Sequence, residues 1–520
     1  MHPPHFPLYF PVAVFAARTL TGPDYLVLAA YFAGSLLIGL CCGRSRQTTD
    51  AYFRANNRVS WWAAGISFYT TGASSISFMA IPATTYAGDW LTFGSSIAGI
   101  AANFIVALVF VSLLWRLNIT TIFEYLDQRF GRSVRILGAV LTLLLKIFAR
   151  MSVVMLLPAI AISTVTGLNV YLSILLMGGV TIVYAMIGGF AAVIWTDVMQ
   201  FIVTFLGVVV ALLYIRHGVP GGLAGIVQTG ASHGKFRMAD WSLSVSHPTV
   251  IVFVGMTIAS AFTQLADQPL MQRAFATPAE SAARKGVIFC ALLAIPCSTL
   301  FFFTGSALYA FYQFHPARLA GTVPNDTIFP FFIVNEIPPA LVGLVIAGLF
   351  AAAMATLSSA MNSTAAIVVR DLYMPLGRGL KDGEYVKIAR WTTIVAGAAA
   401  TVMAAYIAGL KVASLWDQFL RLIALIGGGF PGVVALGLLT RRANAPGVII
   451  GAVASIIVTW WVQTYTATDV FFQGFVAVGS CMLIGYGASL PFGSQRRTEG
   501  RNALTVWEVK RSAKAETAAR

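Results

Sequence analysis

Residues 337–372 constrain the fold more than any other part of the chain. They read IPPALVGLVIAGLFAAAMATLSSAMNSTAAIVVRDL, 36 residues with charge only at Arg370 and Asp371. As a helix this run crosses a bilayer with length to spare, since ~20 apolar residues suffice. Its middle nevertheless carries Thr356, Ser358, Ser359, Asn362, Ser363 and Thr364. Hydrocarbon offers these groups no water, so they must face other helices or a ligand. Hydroxyls and backbone carbonyls, with a carboxylate nearby, are what a dehydrated alkali cation needs, because hard cations take oxygen ligands.

The rest of the chain fits the same environment. Hydrophobic residues make up 58% of the 520 and charged residues 10%, with mean hydropathy +0.80. A soluble domain carries about 25% charged residues. A membrane β-barrel is built from short alternating segments, not from apolar runs of this length. The net charge of +15 suggests nucleic acid only until it is located. Twenty-five Lys and Arg fall in the loops on one side and in the C-terminal tail, against six on the other side. Such an excess marks the cytoplasmic face, which places the N-terminus outside and the C-terminus inside.

Thirteen spans are expected, near 24–43, 60–85, 90–115, 136–165, 169–187, 190–215, 247–271, 286–313, 338–372, 391–410, 414–440, 446–465 and 470–489. Residues 1–23 form a leader whose apolar patch is too short to span, and 490–520 a basic cytoplasmic tail. The second span is rich in Gly, Ser and Thr. The seventh ends in Gln264, Asp267, Gln268 and Pro269. These two open stretches of five spans, 60–215 and 247–440, with single peripheral helix 24–43 before and a pair at 446–489 after. Interrupted helices at matching places point to an inverted repeat around a midplane site. Close helix packing is the plainer use of the same small residues.

Ionisable residues inside spans cost ~2.5–3.5 kcal/mol on insertion scales, so each is a candidate for function. Asp197 in the sixth span suits a cation site, or alternatively a solvated helix end. Lys146 and Arg150 share one face of the fourth span. Lys146 is expected to snorkel. Arg150 suits capture of a carboxylate, with a structural ion pair as its alternative role. Asp417 and Arg421 are expected to pair with each other, and Asp267 and Arg273 to mark the cytoplasmic end of the seventh span. A Walker A motif is absent, and the six histidines fall in termini and loops, so neither an ATP-driven pump nor a metal enzyme is expected.

Five segments carry a resemblance to a known family: DAYFRANNRVSWWAAGISF, GGFAAVIWTDVMQ, ADQPLMQR, LFAAAMATLSSAMNSTAAIVVRDLY and FPGVVALGLLTRRANAPGVIIGA, in that order over about 24–445. The chain resembles the sodium/solute symporters. The resemblance implies an all-α polytopic membrane protein with a LeuT-type fold: two inverted five-helix repeats, one helix before and two after. It places a Na⁺ site at the carbonyls of Thr70, Ala73 and Ala352 and the side chain of Thr356. Ala355 stands where the family often has Ser, and the Thr70 hydroxyl is the expected compensation. A second Na⁺ site is implied at Asp197, Ser358 and Ser359. The solute is expected at Gly72, Ser74, Ser77, Phe93 and Arg150, and the surroundings of Arg150 resemble the sialic acid branch.

The expected function is Na⁺-coupled import of a small organic anion, sialic acid in particular, across a bacterial inner membrane. No nucleic acid or obligate protein partner is expected. A symporter of a neutral sugar or amino acid, a solute channel or sensor, and coupling to H⁺ through Asp197 are the alternatives.

Overall fold

The computed structural model describes residues 19–43, 48–319, 323–377, 379–410, 429–492 and 505–507. The described regular structure is helical. In chain order the helices are α1 (Gly22–Gly43), α2 (Thr49–Arg54), α3 (Trp61–Gly72), α4 (Ser75–Ala87), α5 (Phe93–Arg116), α6 (Ile122–Phe130), α7 (Arg132–Thr166), α8 (Val170–Gly218) and α9 (Gly222–Ser232). They continue with α10 (Val250–Ala266), α11 (Gln268–Phe275), α12 (Glu280–Phe314), α13 (Ile328–Glu336), α14 (Leu341–Leu376), α15 (Asp382–Gly409), α16 (Gly429–Leu439), α17 (Ala445–Tyr465) and α18 (Val470–Ser489).

Among the described residues, nine helices are long and apolar enough to cross a membrane, and the bent pair α10–α11 makes a tenth. The expected fifth and sixth spans are one continuous element of 49 residues, α8, with a kink at Gly189. Gly189 has φ +57°, and a Cβ there would stand 2.9 Å from the Tyr52 carbonyl oxygen, so only glycine fits this corner. Of the expected eleventh span, 414–428 lies outside the described residues, together with Asp417 and Arg421. So do 1–18 of the leader and most of the tail.

The breaks in the two repeats are alike at the level of single dihedrals. Helix α3 ends at Ala73, where φ is −83° and ψ 108°, before α4 restarts at Ser75. Helix α10 ends at Asp267, where φ is −84° and ψ 102°, and α11 leaves at 66°. At the first break, Gly72 contributes poor helix propensity. At the second, Pro269 stands in the first turn of α11, where its missing N–H costs nothing. Asp267 is therefore at the hinge within its span and not at a cytoplasmic boundary.

Helix α14 forms the centre of the bundle. Nearly every residue from Val342 to Ile367 is buried, as expected of a helix surrounded by other helices. Its start is held by Asp24 of α1, whose Oδ1 accepts from the N–H groups of Ala340 (2.8 Å) and Gly343 (2.9 Å). From α8, Thr204 donates to the Gly348 carbonyl (3.0 Å) and Tyr184 to the Met354 carbonyl (3.3 Å). From α3, Thr71 reaches Ser359 at 3.1 Å between hydroxyls. The Ser359 hydroxyl of α14 thus meets the last turn of α3, just before its break.

Candidate ion and solute site

Four of the residues expected at the first ion site line one small internal cavity. Thr70 and Ala73 contribute from the end of α3, and Ala352 and Ala355 from α14. Gln200 and Thr204 of α8 close the far side, with an aromatic wall that includes Phe201 and Phe205. The fifth, Thr356, is buried, and its Oγ1 has no hydrogen-bond partner. An unsatisfied buried hydroxyl costs ~1–3 kcal/mol, and a cation would satisfy it. The donor chemistry here therefore fits an alkali ion.

The Thr70 hydroxyl, the expected compensation for Ala355, spends its proton within its own helix. It turns back along its own helix to the carbonyls of Ile66 (3.2 Å) and Ser67 (3.1 Å), the usual retreat of a threonine in a helix. The Ala355 carbonyl is in turn taken up by the hydroxyls of Ser358 (3.1 Å) and Ser359 (2.8 Å).

Asp197 is wholly buried and shares its surroundings with a residue the sequence reading put at a boundary. Arg273 of α11, also wholly buried, donates from Nη2 to Asp197 Oδ2 at 2.9 Å and to the Ser359 hydroxyl, and from Nε to Ser67 Oγ at 2.7 Å. Ser67 donates to the same carboxylate oxygen. One guanidinium thus joins Asp197 to Ser359. A buried cation needs such a partner, because an unpaired charge at this depth is prohibitive. Asp197 Oδ1 is buried and has no hydrogen-bond partner.

Around the first break, Arg150 Nη1 donates to Asp267 Oδ2 at 2.8 Å, and Nη2 donates to the Thr71 carbonyl at 3.4 Å. The structure therefore realises the ion pair that was the alternative role of Arg150. Lys146, expected to snorkel, is instead buried: its Nζ donates to Ser363 Oγ at 3.1 Å and stands 3.9 Å from Asp267 Oδ1. Gly72 has open space where a Cβ would point. Ser74 and Ser77 are half-buried on the α4 side. Ser75 anchors this side by donating to the Val154 carbonyl of α7 at 3.1 Å. Phe93 belongs to an aromatic cluster with Trp90 and Phe302, ring centroids 5.4 and 5.0 Å away.

Sequence reasoning missed Asp267 and Arg273 as site residues. The signal available was the ADQP hinge: an acidic residue before a Pro-started helix, in a span already suspected of interruption.

Two broken helices crossing a polar, wholly buried one define a secondary transporter of the inverted-repeat class. Residues 52–455 match the model of the sodium:solute symporter family, and the chain belongs to that family. It is an integral membrane transporter and not an enzyme.

Among its relatives, the sodium/sialic acid symporter NanT of Aliivibrio fischeri is 32% identical over 498 residues, which cover 95% of this chain and 98% of that protein. The sodium/sialic acid symporter SiaT of Proteus mirabilis is 33% identical over 465 residues, 89% of this chain and 94% of that protein. A solved Na⁺-coupled sialic acid symporter, in a substrate-bound outward-open state with a novel Na⁺ site, superposes with a TM-score of 0.85 at 31% identity, covering 91% of this chain and 99% of that one.

Proposed function

We propose that this chain is a Na⁺-coupled sialic acid symporter of the bacterial inner membrane, with Arg150 as the ligand of the solute carboxylate. The observation that carries the reading is the placement of Arg150. Its guanidinium lies at the unwound part of the second span, bonded to the Thr71 carbonyl, with its side chain 27% exposed beside the open face of Gly72. Like NanT and SiaT, it would carry a carboxylated sugar, and a planar guanidinium fork suits a carboxylate. Gly72, Ser74 and Ser77 would border the solute, and Phe93 would act from the aromatic cluster beside it.

Na⁺ would bind at Thr70, Ala73, Ala352 and Thr356. Bridging α3 and α14, it would favour the outward-open state and prepare the solute site. Asp197, Ser358 and Ser359 would form a second ion site, with Asp197 Oδ1 as its free oxygen. Opening toward the cytoplasm would draw the two helices apart and release ion and solute together. The excess of Lys and Arg on one side supports an outside N-terminus and a cytoplasmic C-terminus.

Uptake of labelled N-acetylneuraminic acid into proteoliposomes under a Na⁺ gradient tests this. The wild type should accumulate the acid only with Na⁺ outside. Arg150→Ala should weaken solute binding by at least ~30-fold, about 2 kcal/mol, while leaving Na⁺ binding in place. Full uptake by Arg150→Ala would favour a neutral-solute symporter instead.

A further inference from the structure

Asp267 is not needed to hold a solute that Arg150 already binds, yet it stands at the centre of the site. Its two oxygens are divided between two cations of α7: Oδ2 lies 2.8 Å from Arg150 and Oδ1 3.9 Å from Lys146. Lys146 and Arg150 both belong to the widened turn Leu145–Met151. Exposure rises across the group, from 6% for the Lys146 side chain through 15% for Asp267 to 27% for Arg150. A ligand arriving from the open face of Gly72 therefore meets Arg150 first and Lys146 last.

The formal charges do not balance. Two cations share one carboxylate, and the neighbouring Arg273–Asp197 pair is already neutral within itself. Among these side chains, before any Na⁺ is counted, one monoanion offsets the surplus and a neutral solute does not. Asp267 is also the residue at which α10 ends and α11 begins, so any shift of its carboxylate acts at a hinge.

We propose that Asp267 is an internal counter-anion, which occupies the Arg150 fork in the solute-free protein and is displaced onto Lys146 by the solute carboxylate. This rests on Arg150 being the carboxylate ligand. Displacement turns one shared carboxylate into two separate ion pairs, solute with Arg150 and Asp267 with Lys146. Lys146 holds Ser363 of α14, so the exchange is felt on the helix that carries the ion site. Asp267 and Lys146 act here as positioning residues that select an anion over a neutral sugar. A solute without a carboxylate cannot release Asp267 from Arg150.

The test is Asp267→Asn in the full-length protein, with binding of N-acetylneuraminic acid and of its methyl ester measured by titration calorimetry in Na⁺. Removing the competing carboxylate frees the fork, so the acid should bind roughly three- to tenfold more tightly. Transport turnover in proteoliposomes should fall, because the hinge no longer answers to the solute. Unchanged or weaker binding of the acid by folded Asp267→Asn would overturn the proposal. Arg150→Ala separates the two layers. If it keeps full affinity, the Arg150 assignment itself fails; if it loses affinity while Asp267→Asn gains none, only the counter-anion idea fails. Should Asp267→Asn not be monodisperse, the wild type with ¹³C-labelled aspartate provides the readout. Solute-minus-apo infrared difference spectra should then show a displaced aspartate carboxylate band, and a flat difference would refute the exchange.

Discussion

Replacing Thr356 by valine should stabilise the ion-free protein and weaken its response to Na⁺. The exchange is nearly isosteric and substitutes a methyl for the hydroxyl. Thr356 Oγ1 is buried and lacks a hydrogen-bond partner. Leaving such a group unsatisfied costs ~1–3 kcal/mol, so its removal should raise stability by about that much when Na⁺ is absent. When Na⁺ is present, the same oxygen is a ligand to a charge, and hydrogen bonds to charged groups contribute ~1.5–3 kcal/mol. Its loss should therefore weaken Na⁺ binding by roughly 10- to 150-fold. The two effects have opposite signs, which most destabilising substitutions cannot imitate. The assay is apparent melting temperature in detergent as a function of Na⁺, with K⁺ or choline holding ionic strength constant. Stabilisation by a bound ion grows as RT ln(1 + [Na⁺]/Kd), so the midpoint shift reads the affinity directly. An unchanged Na⁺ midpoint, or a Thr356→Val protein less stable than wild type without Na⁺, would refute the assignment.

Asp197→Asn leaves Arg273 buried beside a neutral partner and should cost ~3–5 kcal/mol, seen as a large drop in melting temperature or in folded yield. The double replacement Asp197→Asn with Arg273→Gln should recover part of this loss, because it removes both charges. Gly189→Ala should destabilise the α8 corner by ~1 kcal/mol or more through its positive φ and the nearby Tyr52 carbonyl, readable as a lowered melting temperature with Na⁺ binding retained. Charge moved per solute, measured electrically on a supported membrane, should be one positive charge if two Na⁺ accompany a monoanion and zero if one does. Only the first case gains ~2.3 kcal/mol from each 100 mV of membrane potential.

How much could be read in advance follows from which requirements are local. A bilayer imposes a length and an apolar content on each helix separately, so the long apolar runs are legible one at a time, although the corner that joins two of them at Gly189 is not. The interruption at Gly72 and the hinge before Pro269 were legible for the same reason, since backbone propensity acts within a few residues. Polar residues within such runs announce that they need partners, and Thr356, Asp197 and Arg150 were singled out on that ground. The partner itself is not a local property. Arg150 meets Asp267 across 117 residues of chain, and Arg273 meets Asp197 across 76. Residue 267 could be given to a boundary because nothing in its own neighbourhood says that the span bends there and continues inward. Lys146 illustrates the same point: a long side chain can snorkel or turn inward with equal local ease, and Ser363 and Asp267 decide which. The sequence alone thus determined that this chain must thread a membrane and must bury oxygen-rich and charged side chains in doing so. Only the packing of α3, α7, α11 and α14 decided which charge neutralises which, because Coulomb pairing in a medium without water depends on distances of a few ångströms between segments far apart in the chain.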